Sequence, residues 1–168
     1  SYDLDDKPGS WTETDPDLKK WKESRKEIDN LNLDKSYSSF IIPSEELSLH
    51  NLYGKNIHAL ILNNKSFLPG AGDGAEKPFH FDCNYDTLNL YDDLEEHALC
   101  IAAHPFSPVP ILQKLFFKRG VWNNNDIIPD KMIGLQILNG AIDDTFFKSI
   151  LIWVKLLLDG EHKYIYAG

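Results

Sequence analysis

The chain has 168 residues, 42% of them hydrophobic and 26% charged, with a net charge of −9. That length builds one domain with a real core and excludes two comfortable ones. The acidic balance excludes a general nucleic-acid surface, which needs basic residues to displace counterions. It leaves room for a site that holds cations, because carboxylates are hard ligands.

In chain order, the polar opening SYDLDDKPGS has no signal-peptide pattern, and the first fifteen residues read as loop. Asp15 before Pro16 is a helix-start pair, and Leu18, Trp21, Arg25 and Ile28 recur at helical spacing, so a helix is expected over 16–28. YSSFIIP (37–43) reads as a strand, SEELSLHNLYGK (44–55) as a polar loop and NIHALILNN (56–64) as the next strand. The stretch 65–86 is rich in loop residues. Its GAGDG lacks the G-K-[ST] ending of a phosphate-binding loop and reads as a long surface or active-site loop. Thr87 can cap a helix carrying Leu88, Tyr91, Leu94 and Ala98.

A repeat follows. The strand LCIAAH leads to the helix VPILQKLFFKR, and the strand MIGLQILN leads to the helix DTFFKSILIWVKLLLD, with KYIYAG as a third strand. A recurrence of about 30 residues is the length of a βα unit, so these strands are expected to lie parallel. The fold class expected is α/β, with one domain over 1–168: an N-terminal loop and helix (1–36), then a βα core (37–168). The helix FFKSILIWVKLLLDG carries Lys148 and Lys155 and falls short of the roughly 20 apolar residues a bilayer span needs, so it is expected to be a core helix. Cys83 and Cys100 form no C-x-x-C pair, and Cys100 reads as a small apolar strand residue, which leaves the compartment open.

Parallel β/α sheets place their ligand sites at the carboxyl ends of strands. His104 ends the apolar run CIAA, and Pro105 stops the strand there. Asn139 takes the corresponding place one unit later. His58 lies inside an otherwise apolar strand. Imidazole beside carboxylate is a common donor set for first-row metals, although each histidine alone can equally be a satisfied structural residue. His80 can line the same site, while His50, His97 and His162 read as surface residues. Glu45 and Glu46 are adjacent, so on extended backbone only one of them can face a site. No G-x-S-x-G elbow and no activated cysteine suggests a nucleophilic alternative.

At these residues the chain resembles the PHP (polymerase and histidinol phosphatase) superfamily of metal-dependent hydrolases, nearest its carbaryl-hydrolase-like branch. PSEELS, NIHALIL, AAHPF, LQILNG and WVKLLLDGEHKYIYAG stand in the family's order over residues 37–168. The resemblance implies a distorted β/α barrel holding divalent metals, with zinc, manganese or iron equally suited, and hydrolysis of a phosphoester by metal-activated water. It implies Glu46, His58 and His104 as metal ligands, and Asp73, His80 and Asn139 are candidate substrate-facing or supporting residues. Gln136 stands where relatives often carry Glu. The family's opening H-x-H and closing D-x-H motifs are not found, so the chain is expected to be truncated at both ends, with exposed apolar surface and a tendency to self-associate. A non-catalytic binding domain with an incomplete metal site is the alternative, as is an amide or carbamate hydrolase of the same superfamily. The partner expected is a small-molecule or phosphoester substrate, with no membrane span.

Overall fold

Among the described residues, five strands form one mixed sheet in the order β1-β2-β3-β4-β5. They are β1 (Ser44–His50), β2 (Asn56–Leu62), β3 (Leu99–Ala102), β4 (Met132–Gln136) and β5 (Ile165–Ala167). The helices are α1 (Lys19–Leu33), α2 (Leu90–Asp93), α3 (Ile111–Phe116) and α4 (Asp144–Leu158). This computed structural model describes residues 16–70, 83–116, 118–127, 132–138, 140, 142–159 and 165–167. None of the described helices is long and apolar enough to cross a membrane.

The βα repeat is present: β3, β4 and β5 pair in parallel. The first half of the sheet is different, because β1 pairs antiparallel with β2 and β2 antiparallel with β3. The expectation of parallel units therefore describes only the C-terminal part. The turn between β1 and β2 explains the hairpin. The Asn51 side-chain oxygen accepts from the N–H groups of Tyr53 and Lys55, and Gly54 takes a φ of 67° that other residues rarely adopt.

Register assembles the core in rows across the strands. Leu47, Ala59, Ala102 and Leu135 occupy successive partner positions, as do Ile61, Cys100 and Met132. Together with Leu49, Ile57, Leu90, Tyr91 and Ile127 they form one buried cluster. Each large apolar side chain buried in this way stabilises the fold by roughly 1.5–3 kcal/mol before entropy is counted. Cys100 belongs to it as expected, and burial pushes its thiol up to about 12, leaving it unreactive.

Several element boundaries differ from the expected ones. The strand expected over 37–43 is exposed coil, with Phe40 at 73% exposure, and β1 instead begins at Ser44 inside the expected loop. The reason is a missing partner: β2 ends at Leu62, opposite Ser44, so the FII run lies past the end of the ladder. Asn32 of α1 substitutes for a strand there, accepting from Ile41 N and donating to Ile41 O. Helix α1 begins at Lys19, after Leu18 with its φ of 53°, rather than at Pro16, and the Asp15 of the expected start lies outside the described residues. The helix then runs on to Leu33, past the end expected at Ile28. Helix α2 is only four residues long, and α3 stops at Phe116, three residues short of Arg119.

Helix α4 is capped as its sequence suggests, with the Asp143 carboxylate accepting from Thr145 N and Phe146 N. It is not a core helix. Only Ser149 is buried, with Trp153 and Leu156 packed partly against the cluster. Leu151 and Leu158 stand exposed on it, as Ile111, Leu112 and Leu115 do on α3.

Candidate metal centre

Glu46, His58 and His104 bring one ligand atom each to within 4.8 Å of one another. Their meeting is built from register. His58 lies opposite Ser48, so Glu46, two residues before Ser48, is its diagonal neighbour on the same face of the sheet. The pair touches at 2.5 Å, His58 Nδ1 against Glu46 Oε1. Glu45, on the other face, turns to α1, where it accepts a hydrogen bond from Trp21 Nε1 and pairs with Arg25 at 3.6 Å.

His104 arrives by a different route. Ala102 opposes Ala59, and Ala103 N continues the ladder by donating to His58 O. Strict alternation would then send the His104 side chain to the face opposite His58. The backbone prevents that: the strand stops at Ala102, and His104 takes a φ of 33°. This left-handed conformation is uncommon for a residue with a side chain and costs on the order of 1 kcal/mol. The Gln136 side-chain oxygen, at the end of β4, accepts from His104 N at 3.0 Å and holds the turn. The ring consequently stands 5.3 Å from that of His58, edge to face, with Nε2 at 3.3 Å from Glu46 Oε1.

Charge and burial differ sharply among the three. The Glu46 side chain is 47% exposed, and its contacts with His104 first and His58 second hold its carboxyl well below the ordinary value. The His58 side chain is only 8% exposed. Burial keeps its imidazole below the ordinary value, with Glu46 opposing that shift and Arg119 adding to it. His58 is therefore neutral near pH 7, which is the form that ligates metals. Trp122 Nε1 donates to His58 O and fixes the backbone behind the ring.

Two imidazoles and a carboxylate suit zinc, manganese or iron, and a three-residue set leaves room for water or substrate in the shell. His58 and His104 line a cleft of about 190 Å³ whose walls also include Ser107, Gln113, Arg119 and Trp122. Arg119 places Nη1 at 2.7 Å from His58 Nε2. Its backbone is set by a bridge to Asn56, with Asn56 N donating to Lys118 O and Gly120 N to Asn56 O. Gly120 permits this approach, since a Cβ there would meet Lys55 Cβ at 2.4 Å.

Asp73, His80, Asn139 and His162 lie outside the described residues. His97 is exposed, as expected, whereas His50 is half-buried on β1 rather than in a surface loop. Arg119 and Trp122 escaped the sequence reading, although the glycine after Arg119 is the kind of signal that marks a close backbone approach. So did Asp126. Wholly buried, it accepts from Leu52 N, Thr87 Oγ1, Asn123 N and Asn123 Nδ2, tying the hairpin turn to the segment just before α2 and to the one that carries Arg119. Comparisons with protein-family models, curated proteins and solved structures return no match.

Proposed function

We propose that this chain carries the metal centre of a PHP-type, metal-dependent hydrolase that cleaves a phosphoester. The observation that carries this reading is the convergence of Glu46, His58 and His104, from three different strands or strand ends, within 4.8 Å. The parallel run β3-β4-β5 supports placing the sheet in a distorted β/α barrel. A divalent ion held by Glu46, His58 and His104 would supply Lewis acidity and lower the pKa of a bound water toward neutrality. The chain's own residues supply the rest. Gln136 holds His104 in its turn, Trp122 anchors the strand under His58, and the polar cleft wall of Ser107 and Gln113 offers donors to a substrate.

The test is metal content by mass spectrometry after incubation with zinc, manganese and iron in turn, beside His104→Ala. Near-stoichiometric metal in the wild type, lost in the variant, together with turnover of a simple phosphodiester, is the expected result. Absence of metal from both proteins overturns the reading. Metal without turnover of phosphoester, amide or carbamate leaves a non-catalytic binding domain.

A further inference from the structure

A neutral imidazole has one donor nitrogen and one acceptor nitrogen, and both of those on His58 are engaged. Glu46 Oε1, an acceptor, stands at 2.5 Å from Nδ1, so the proton is on Nδ1. Arg119 Nη1, which can only donate, stands at 2.7 Å from Nε2 and takes the lone pair there. The longer approach of Nη2 to Nδ1, at 3.3 Å, sets donor against donor and is no hydrogen bond. His58 therefore has no electron pair to offer a metal while Arg119 stays where it is.

Either nitrogen leads to the same conclusion. A metal on Nε2 replaces the guanidinium directly. A metal on Nδ1 moves the proton to Nε2, which then faces Arg119 as a second donor. We propose that Arg119 is an internal cation that competes with the metal for His58, so that metal binding and the Arg119–His58 hydrogen bond exclude one another. The inference rests on the metal reading of the triad. It adds a consequence: an arriving ion displaces the guanidinium from His58 into the cleft that Arg119 already lines, where it can meet an anionic group.

The discriminating experiment is zinc and manganese titration by calorimetry of the full chain as wild type, Arg119→Gln, Arg119→Lys and His104→Ala. The His58 imidazole nitrogens are followed in parallel by nuclear magnetic resonance. Loss of one charge-assisted hydrogen bond that opposes binding tightens metal affinity by roughly 10- to 100-fold in R119Q. R119K, which keeps the charge and loses the fork, falls between R119Q and wild type. In the metal-free wild type Nδ1 carries the proton and Nε2 shows an accepted hydrogen bond, which R119Q loses.

Equal or weaker metal binding by a folded R119Q, with the wild type binding metal, overturns the competition and leaves the metal site standing. No metal binding by the wild type, R119Q or R119K overturns both. An Nε2-protonated His58 in the metal-free wild type overturns the competition whatever the affinities are.

Discussion

Glu45 and Glu46 are adjacent on β1, and the pleat sends them to opposite sides of the sheet. Glu45 enters the seam under α1, where Arg25 lies 5.0 Å above the Trp21 ring and Trp21 meets Phe67 edge to face at 5.7 Å. Burial there pushes its carboxyl above the ordinary value, with Trp21 and Arg25 pulling it back only in part. One oxygen of Glu45 and one nitrogen of Arg25 are buried without a hydrogen-bond partner. Glu46 remains half-exposed, holds its charge firmly and faces two imidazoles. One carboxylate fastens a helix, and its neighbour is available to a ligand. The difference comes from what each face packs against, since the residue type and the backbone are the same.

The contrast breaks most visibly in metal binding. Glu46→Gln removes a proposed ligand and should weaken metal affinity on the order of 100-fold or more, beyond the 10–100-fold cost of losing an outer-shell partner. Glu45→Gln should leave it within about twofold. Calorimetric titration of the two variants side by side checks this, and equal losses would erase the division between the faces. Next in size is Trp21→Ala, which strips the seam of its ring. It should cost about 2 kcal/mol in denaturant unfolding, below the fully buried Trp range because the ring is half-buried, while metal affinity holds.

The smallest effect is in acid stability, and here the two carboxylates act with opposite sign. His58 and Glu46 have folded-state values below their ordinary 6.5 and 4.5. The unfolded chain therefore binds their protons first as pH falls, and stability drops below about pH 6.5 and further below about 4.5. Glu45, raised from 4.5, gains its proton first in the folded state, so its contribution is present at low pH and lost as pH rises through its folded value. Unfolding free energy measured from pH 7 to pH 3 should fall less steeply below pH 4.5 in E46Q than in wild type, and more steeply in E45Q in the window just above pH 4.5, between the unfolded and folded values of Glu45.

What the amino-acid sequence determined by itself is local. A histidine set in the apolar run NIHALIL sits on a doubly covered strand, the neighbours Glu45 and Glu46 part to opposite faces, and the βα spacing of the C-terminal half makes its strands parallel. Each follows from a period of two along a strand or from a connection long enough to cross over. Tertiary structure decided where β1 begins, because FII is as strand-like as ELSL but has no described strand across from it, only the Asn32 side chain. It decided that α4 leaves much of its apolar surface exposed. It also decided the site. Alternation assigns His104 to the wrong face, and only the left-handed turn held by Gln136, 32 residues away in the chain, brings its ring to Glu46. Arg119 reaches His58 across 61 residues through a backbone bridge that Gly120 permits. Periodicity says which residues share a face, but contact between distant segments depends on which backbones pair and how closely they approach.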